Sequence, residues 1–108
     1  MKIILTLFAF LGSMAFAKGT PHPANCAKIP STASACLTIC QACAPKFIVG
    51  DVGIGTGFYA DCAEPILKNG GTHQPKKATQ PLPPPPSGET WSQIAQQCTS
   101  QGGMPKGL

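Results

Sequence analysis

Six cysteines in a chain of 108 residues constrain this fold more than any other feature of the sequence. Three of them fall in the stretch CLTICQAC, Cys36 to Cys43, at spacings of four and three residues. The other three, Cys26, Cys62 and Cys98, are scattered along the chain. Such a cluster fits a metal site, a redox pair or the anchor of a disulfide framework. The choice among these three decides the class of protein.

The N-terminal segment has the layout of a secretory signal peptide. Lys2 precedes an apolar run over residues 3–11, and small residues stand at the end of the segment. We predict a signal peptide over residues 1–17, with cleavage between Ala17 and Lys18. The apolar run is too short for a membrane-spanning helix, which needs roughly 20 apolar residues. We therefore expect a secreted, extracellular product without stable membrane insertion after signal removal.

Export to an oxidising compartment favours the disulfide interpretation of the cysteines. A short mature chain has only a modest core, and cross-links are the usual remedy. An even cysteine count then predicts three bridges, each contributing about 2–4 kcal/mol. Cys26, Cys36, Cys40, Cys43, Cys62 and Cys98 are accordingly all predicted to be disulfide-bonded.

The metal and redox interpretations of CLTICQAC lack the context that they need. Its spacing is similar to the cluster motif of radical S-adenosylmethionine enzymes, but those are large intracellular barrels. A zinc site would need a second close pair of ligands, and Cys26, Cys62 and Cys98 stand alone. A reactive Cys-x-x-Cys pair lies at a helix N-terminus, whereas Cys40 and Cys43 come late in their segment. We expect no metal and no cofactor.

The segment from Ser31 to Ala44 contains no Pro or Gly and predicts a helix, with Ser31 as its cap and Pro45 at its end. Its three cysteines share one face. Cβ atoms four apart on a helix lie about 5–6 Å from each other, whereas a relaxed disulfide wants roughly 3.5–4.5 Å. We therefore hypothesise that each helix cysteine pairs outward, with Cys26, Cys62 or Cys98. This reduces the fifteen possible pairings to six and leaves them open.

The remaining chain divides by composition. Residues 18–69 are predicted to form the disulfide-stapled core, and Gly/Pro-rich residues 70–88 a linker or an exposed loop. Residues 89–108 are predicted to form a C-terminal amphipathic helix and tail, bridged to the core. Thr90 and Gln93 match a capping box, and we expect the tail from Gly102 to fray.

Two further stretches of the core region carry local signals. The glycine-rich stretch Lys46–Gly57 predicts short strands or turns, with Gly50-Asp51 as a possible hairpin turn. Its run GIGTG lacks the residues of a phosphate-binding loop and is expected to be a flexible turn. Residues 58–68 predict a short helix around Cys62 that stops at Asn69-Gly70. The predicted fold class is therefore small and disulfide-rich, mainly α with two or three short helices and a small irregular or β segment.

The titratable residues make no convincing active site. His22 and His73 lie in Pro/Gly-rich surroundings, which suit solvated loops better than an oriented base. Asp51, Asp61 and Glu64 could form a carboxylate pair only on a larger scaffold. We therefore predict that the protein is not an enzyme.

The charge of the chain is mildly basic, +4, and its cations are all Lys. Nucleic-acid readers cluster their charge and use Arg, so we expect no nucleic-acid partner.

Signal peptide, six cysteines and short length together resemble the small secreted cysteine-rich proteins of filamentous fungi, many of which are effectors. The resemblance is one of architecture and transfers no residue role. It implies a monomer that displays the loops Lys46–Gly57 and Thr72–Gly88 to an unknown host protein or cell-wall component. Two alternatives stay open: a cationic antimicrobial or toxin-like protein, and a small protease inhibitor.

Overall fold

The structure is a computed structural model, and it describes residues 20–108. The predicted signal peptide and the cleavage site between Ala17 and Lys18 lie outside the described residues. Within the described part of the chain, the helices are α1, Ser34–Cys43, α2, Glu64–Asn69, and α3, Trp91–Ser100. Three disulfides join α1 to Cys26, to Cys62 just before α2, and to α3. The predicted fold class, small, disulfide-rich and mainly α, is confirmed.

Helix α1 begins later than predicted. Pro30, with φ at −66°, accepts a hydrogen bond from the Ala33 N–H at 2.9 Å, and residues Ser31–Ala33 form a 3-10 turn. The α-helix then starts at Ser34 without a side-chain cap, so the prediction that Ser31 caps it is wrong. The chain is already coiled when it reaches Ser34, which leaves Ser31 a full turn too early to act as the cap. The predicted end before Pro45 is confirmed.

The core is arranged around α1. Cys36, Ile39, Cys40 and Cys43 of this helix are completely buried. Side chains from the rest of the chain close around them: Phe47, Phe58, Ile66, Trp91 and Ile94. Helix α1 packs directly against α3, and α3 packs against α2. The largest apolar side chains of each segment therefore meet on the face that carries the cysteines.

Helices α2 and α3 have the boundaries that their sequences indicate. A π-helical turn, Tyr59–Ala63, carries Cys62 and runs directly into α2. Gly70 ends α2 with φ at +62°, a left-handed conformation that glycine adopts without strain. Thr90 and Gln93 make both hydrogen bonds of the predicted capping box at the start of α3. The C-terminal helix is amphipathic as predicted, and its buried face consists of Trp91, Ile94, Ala95 and Cys98.

Within residues 20–108, β-structure is limited to two isolated bridges. Val49 pairs antiparallel with His22 of the N-terminal arm, and Ile48 pairs parallel with Gly57. The prediction of a hairpin turn at Gly50-Asp51 is therefore wrong, because neither flanking residue pairs across such a turn. The antiparallel partner comes instead from the arm, which the disulfide between Cys26 and Cys40 holds beside α1.

The C-terminal tail is packed against the rest of the protein, so the prediction that it frays is wrong. Leu108 is only 3% exposed, and its carbonyl oxygen accepts a hydrogen bond from the Asn25 N–H at 3.1 Å. Lys28 Nζ donates to Gly107 O at 3.1 Å, and Tyr59 Oη donates to Pro105 O at 2.8 Å. The composition of the tail gave no sign of these contacts, because they depend on residues that are distant in the sequence.

Candidate functional site: two loops packed together

The six predicted disulfide residues form three bridges: Cys26 with Cys40, Cys36 with Cys98, and Cys43 with Cys62. Each cysteine of α1 pairs with a cysteine outside the helix, so the hypothesis of outward pairing is confirmed. No cysteine of the chain is free. Three disulfides in a small domain are typical of extracellular or secreted proteins.

Of the histidines and acids considered in the sequence analysis, the structure brings His73 and Glu64 to one groove. His22 Nδ1 lies 3.1 Å from Thr20 O, and His73 is exposed beside a shallow groove. Asp61 is 7% exposed and accepts the Gly57 N–H at 2.9 Å, whereas Asp51 accepts the Thr56 hydroxyl. Both aspartates therefore fasten the same loop. Within residues 20–108, no group of three or more His, Cys, Asp or Glu side chains could hold a metal ion.

That loop, residues 46–57, is called loop A here, and it is closed at its base. Ile48 N donates to Thr56 O at 2.8 Å, and Phe58 N donates to Ile48 O at 2.8 Å. Phe47 and Phe58 anchor the two ends in the core, being 1% and 0% exposed. The intervening residues are therefore held in a defined position, although the sequence analysis predicted a flexible turn for the run GIGTG.

At the far end of loop A lies the apolar tip, Val52 and Ile54. Val52 is 83% exposed and Ile54 is 60% exposed, and Gly53 separates them. Within the described part of the chain, the only other exposed large apolar side chain is Ile48, at 39%, in the same loop. The exposed large apolar side chains of the described residues are thus gathered in one short stretch.

A second loop, residues 72–88, lies against the first and is called loop B. Thr79 N donates to Gly55 O at 2.9 Å, and Gln80 Nε2 donates to Lys46 O at 2.9 Å. Gly55 is buried with φ at +88°, and a Cβ there would lie 1.6 Å from Lys77 O. Only glycine permits so close an approach. The two loops together form one surface, called the loop pair.

Loop B is also attached to α3. Trp91 Nε1 donates to Pro83 O at 2.8 Å, and Leu82 packs against the core. One hydrogen bond therefore holds the Pro-rich run at Pro83, and another holds the chain at Thr79, just before the run begins. Loop B follows the surface of the domain and does not extend away from it.

The loop pair carries a concentration of positive charge. Lys46 of loop A and Lys76 and Lys77 of loop B are all exposed. In the described residues the one ion pair joins Lys68 to Glu64, at 3.7 Å in α2. The carboxylate of loop A, Asp51, is engaged by Thr56. Within the described residues, the three lysines of the loop pair make no ion pair, and Asp51 is the one acid of the loop pair.

Two shallow grooves lie elsewhere on the surface. One, of about 620 Å³, runs between α2 and α3 and is lined by apolar side chains such as Leu67 and Ala95 as well as by polar ones such as Ser92 and Thr99. The other, of about 400 Å³, is lined by Tyr59, Leu67 and Met104, with Glu64 and Lys106 at its edge. Burial raises the pKa of Tyr59, and a backbone hydrogen bond at Leu108 opposes this shift. Neither of these two grooves is lined by a histidine or a cysteine.

Across residues 20–108, none of the helices has the length and apolarity required to cross a bilayer. No protein-family model matches the chain, and no curated protein or solved structure matches it either. No residue role can therefore be transferred to this chain from a relative.

Sequence reasoning identified both loops but missed that they pack together. The relevant signal was Gly55, one of four glycines close together in the stretch GDVGIGTG. Glycine inside an otherwise apolar segment often marks a place where another part of the backbone approaches closely. The sequence could indicate the approach, but it could not name Lys77 as the residue that makes it.

Proposed function

We propose that this chain is a secreted, non-enzymatic binding protein of the effector type, and that the loop pair is its binding surface. The observation that carries the proposal is the apolar tip, where Val52 is 83% and Ile54 is 60% exposed. Each side chain would gain about 1.5–3 kcal/mol if it were fully buried against a partner. The fold does not use this free energy, so it remains available for binding.

The construction of loop A supports a binding role. Asp51 accepts a hydrogen bond from the Thr56 hydroxyl and Asp61 accepts one from the Gly57 N–H, so both carboxylates hold the loop in shape. A loop that is ordered before binding loses less conformational entropy when it meets its partner. The two aspartates therefore hold the apolar tip in position for binding.

The disulfides support an extracellular setting for this binding. All six cysteines are consumed in bridges, which leaves no thiol for redox or nucleophilic chemistry. Cross-links between α1 and every other part of the core would help a small monomer to persist outside cells. The partner would be a host component or a component of a cell wall or cell surface.

A toxin-like action on microbial membranes is the second candidate function. One observation favours it: Lys46, Lys76 and Lys77 lie in the same loop pair as the apolar tip. Cations beside an apolar patch are a common feature of proteins that act at lipid surfaces.

The protease-inhibitor alternative has no comparable support. A loop that binds a protease as a substrate does is extended, whereas φ at Gly53 and Gly55 is +85° and +88°.

The effector proposal is tested in the producing organism by gene deletion and by transcript measurement. We expect transcription to rise during contact with a host, and deletion to reduce colonisation of that host. Even transcription in pure culture, together with unchanged colonisation after deletion, would contradict the proposal. Inhibition of competing microbes by the purified protein, with unchanged colonisation, would assign the toxin-like function instead.

A further inference from the structure

We propose that the loop pair docks reversibly on anionic phospholipid bilayers, with the apolar tip in the head-group region and the lysines on lipid phosphates and carboxylates. This inference rests on the proposed function, because it names the partner of the same surface. It follows from three properties of the loop pair: which side chains are exposed, which charges surround them, and which residue types are missing.

The first property is the shape and chemistry of the apolar tip. Val52 and Ile54 are exposed at 83% and 60%, and the glycine between them has open space around it. Two aliphatic side chains on a narrow turn can enter a lipid interface without any matching pocket. A protein partner would instead have to supply a cavity shaped for them.

The second property is the charge around the tip. Lys77 lies directly behind the tip, since its carbonyl group contacts Gly55. Lys76 is its neighbour, whereas Lys46 lies at the base of loop A, where its carbonyl oxygen accepts the hydrogen bond from Gln80 Nε2. Each lysine near an anionic membrane surface strengthens binding through the surface potential. A neutral polysaccharide would give these charges no counterpart.

The third property is the absence of the residues that dominate protein interfaces. Protein hot spots are enriched in Trp, Tyr and Arg, and interfaces are depleted in Lys. The one aromatic residue of the loop pair, Phe47, is buried, and the chain contains no Arg. Lysine is a compact point charge that suits diffuse anionic surfaces better than bidentate recognition. The composition of the loop pair therefore favours a lipid surface over a protein.

The docking should be weak and reversible. Two aliphatic side chains and three cations form a small anchor, and stable membrane attachment usually takes a larger one. Binding should consequently depend on the anionic lipid content and fall as salt screens the lysines. This mode of contact leaves the disulfide-linked core outside the hydrocarbon.

The test is co-sedimentation of the oxidised protein with vesicles of phosphatidylcholine containing about 30% phosphatidylserine, a strongly anionic surface. Vesicles of phosphatidylcholine alone are the lipid control. We expect binding to the anionic vesicles and at least a tenfold weaker binding to the neutral ones. Soluble glycerophosphoserine at the same head-group concentration should not displace the protein, because it offers no interface for Val52 and Ile54.

Two double variants separate the contributions of the tip and the charge. Val52→Ser/Ile54→Ser should weaken vesicle binding by about tenfold or more, since it removes apolar area from an exposed site. Lys76→Gln/Lys77→Gln should weaken it by about 30-fold. The matched control, Lys68→Gln/Lys106→Gln, removes the same net charge outside the loop pair and should bind like the wild type.

A gain-of-binding variant provides an independent readout. Val52→Trp should bind anionic vesicles more tightly, with a blue-shifted emission that brominated lipids quench. Trp91, the one natural tryptophan, is 4% exposed and serves as a shielded background. The control Gln97→Trp places the same probe on the exposed side of α3, and there we expect neither a shift nor quenching.

Several outcomes would overturn the inference. Absence of binding to the anionic vesicles would do so, as would equal binding by the wild type and both loop-pair variants, or complete displacement by glycerophosphoserine. If vesicle binding is absent while gene deletion still reduces colonisation, the lipid partner is wrong and the proposed function stands. If vesicle binding is present but deletion has no effect on colonisation, the lipid partner stands and the effector role is wrong.

Discussion

The amide N–H of Thr79 donates to the carbonyl oxygen of Gly55 at 2.9 Å and fastens loop B to loop A. The contact forms directly below the apolar tip, at a glycine whose missing side chain leaves room for the backbone of Lys77. The same contact therefore orders the exposed apolar residues and brings two lysines beside them. This close approach joins segments more than twenty residues apart, and the hydrogen bond from Gln80 Nε2 to Lys46 O joins the same two loops a second time.

Gly55→Ala should be clearly more destabilising than Gly53→Ala. Both glycines have φ near +85°, which costs an L-residue about 1 kcal/mol. A Cβ at Gly53 meets open space, whereas one at Gly55 meets Lys77 O and forces the loops apart. We expect losses in the free energy of unfolding of about 1 kcal/mol for Gly53→Ala and about 2–4 kcal/mol for Gly55→Ala. Denaturant unfolding of the oxidised proteins measures both, and equal losses would show that the loops do not pack as described.

The bridge between Cys36 and Cys98 should contribute more to stability than the bridge between Cys26 and Cys40. It spans 62 residues, against 14 for the bridge between Cys26 and Cys40. A longer closed loop restricts the unfolded chain more. We therefore expect the free energy of unfolding to fall by about 4 kcal/mol when both Cys36 and Cys98 are replaced by Ala, and by about 3 kcal/mol when both Cys26 and Cys40 are replaced. Thermal unfolding of the two variants ranks them. The opposite ranking would mean that loop length does not govern the contribution of these bridges.

Asp61→Ala should destabilise the protein by about 1–3 kcal/mol, because it removes the acceptor for the Gly57 N–H in a buried place. The matched control is Glu64→Ala in the same region. Glu64 makes an exposed ion pair with Lys68, and its loss should cost less than about 0.5 kcal/mol. Hydrogen exchange should also show faster exchange in loop A for Asp61→Ala only. If hydrogen exchange in loop A is the same in Asp61→Ala as in the wild type, Asp61 does not hold the loop in place.

Tyr59 should make the stability depend on alkaline pH. Burial raises the pKa of this phenol above that of the unfolded chain, with an opposing backbone hydrogen bond at Leu108. The folded state therefore keeps a proton that the unfolded state has lost, so the contribution is complete below about pH 10 and disappears as pH rises through the folded pKa. Tyr59 is the one tyrosine of the chain, so phenolate absorbance reports its titration directly.

The control for this prediction is Tyr59→Phe, which also loses the hydrogen bond to Pro105 O. At neutral pH the variant should be less stable by about 1 kcal/mol. This difference should shrink when pH is raised quickly above 10, before the disulfides react. A titration midpoint at or below the value of free tyrosine would contradict the burial of the ring against the tail.

The sequence predicted the parts of this fold that depend on local chemistry. The capping box at Thr90 and the stop at Gly70 follow from neighbouring residues, and both are present. The outward pairing of the helix cysteines followed from the distance between side chains on a helix. Which cysteine pairs with which could not follow, because it depends on how the arm and α3 pack around α1.

The missed features all depend on contacts between distant segments. The packed tail rests on Asn25 and Lys28, and the loop pair rests on the approach of Lys77 to Gly55. No local pattern in either segment specifies its partner. The candidate surface could therefore be predicted as two separate loops, whereas its apolar tip and its lysines became one surface only in the folded structure.

The central claim is that the apolar tip serves binding and not folding. The most direct test returns Val52→Ser/Ile54→Ser to a deletion strain of the producing organism and measures host colonisation, with Lys68→Gln as the control. We predict that the tip variant is secreted in the same amount and unfolds within about 0.5 kcal/mol of the wild type, because both side chains are exposed. We also predict that it fails to restore colonisation, while the control restores it. Full restoration by the tip variant would contradict the account.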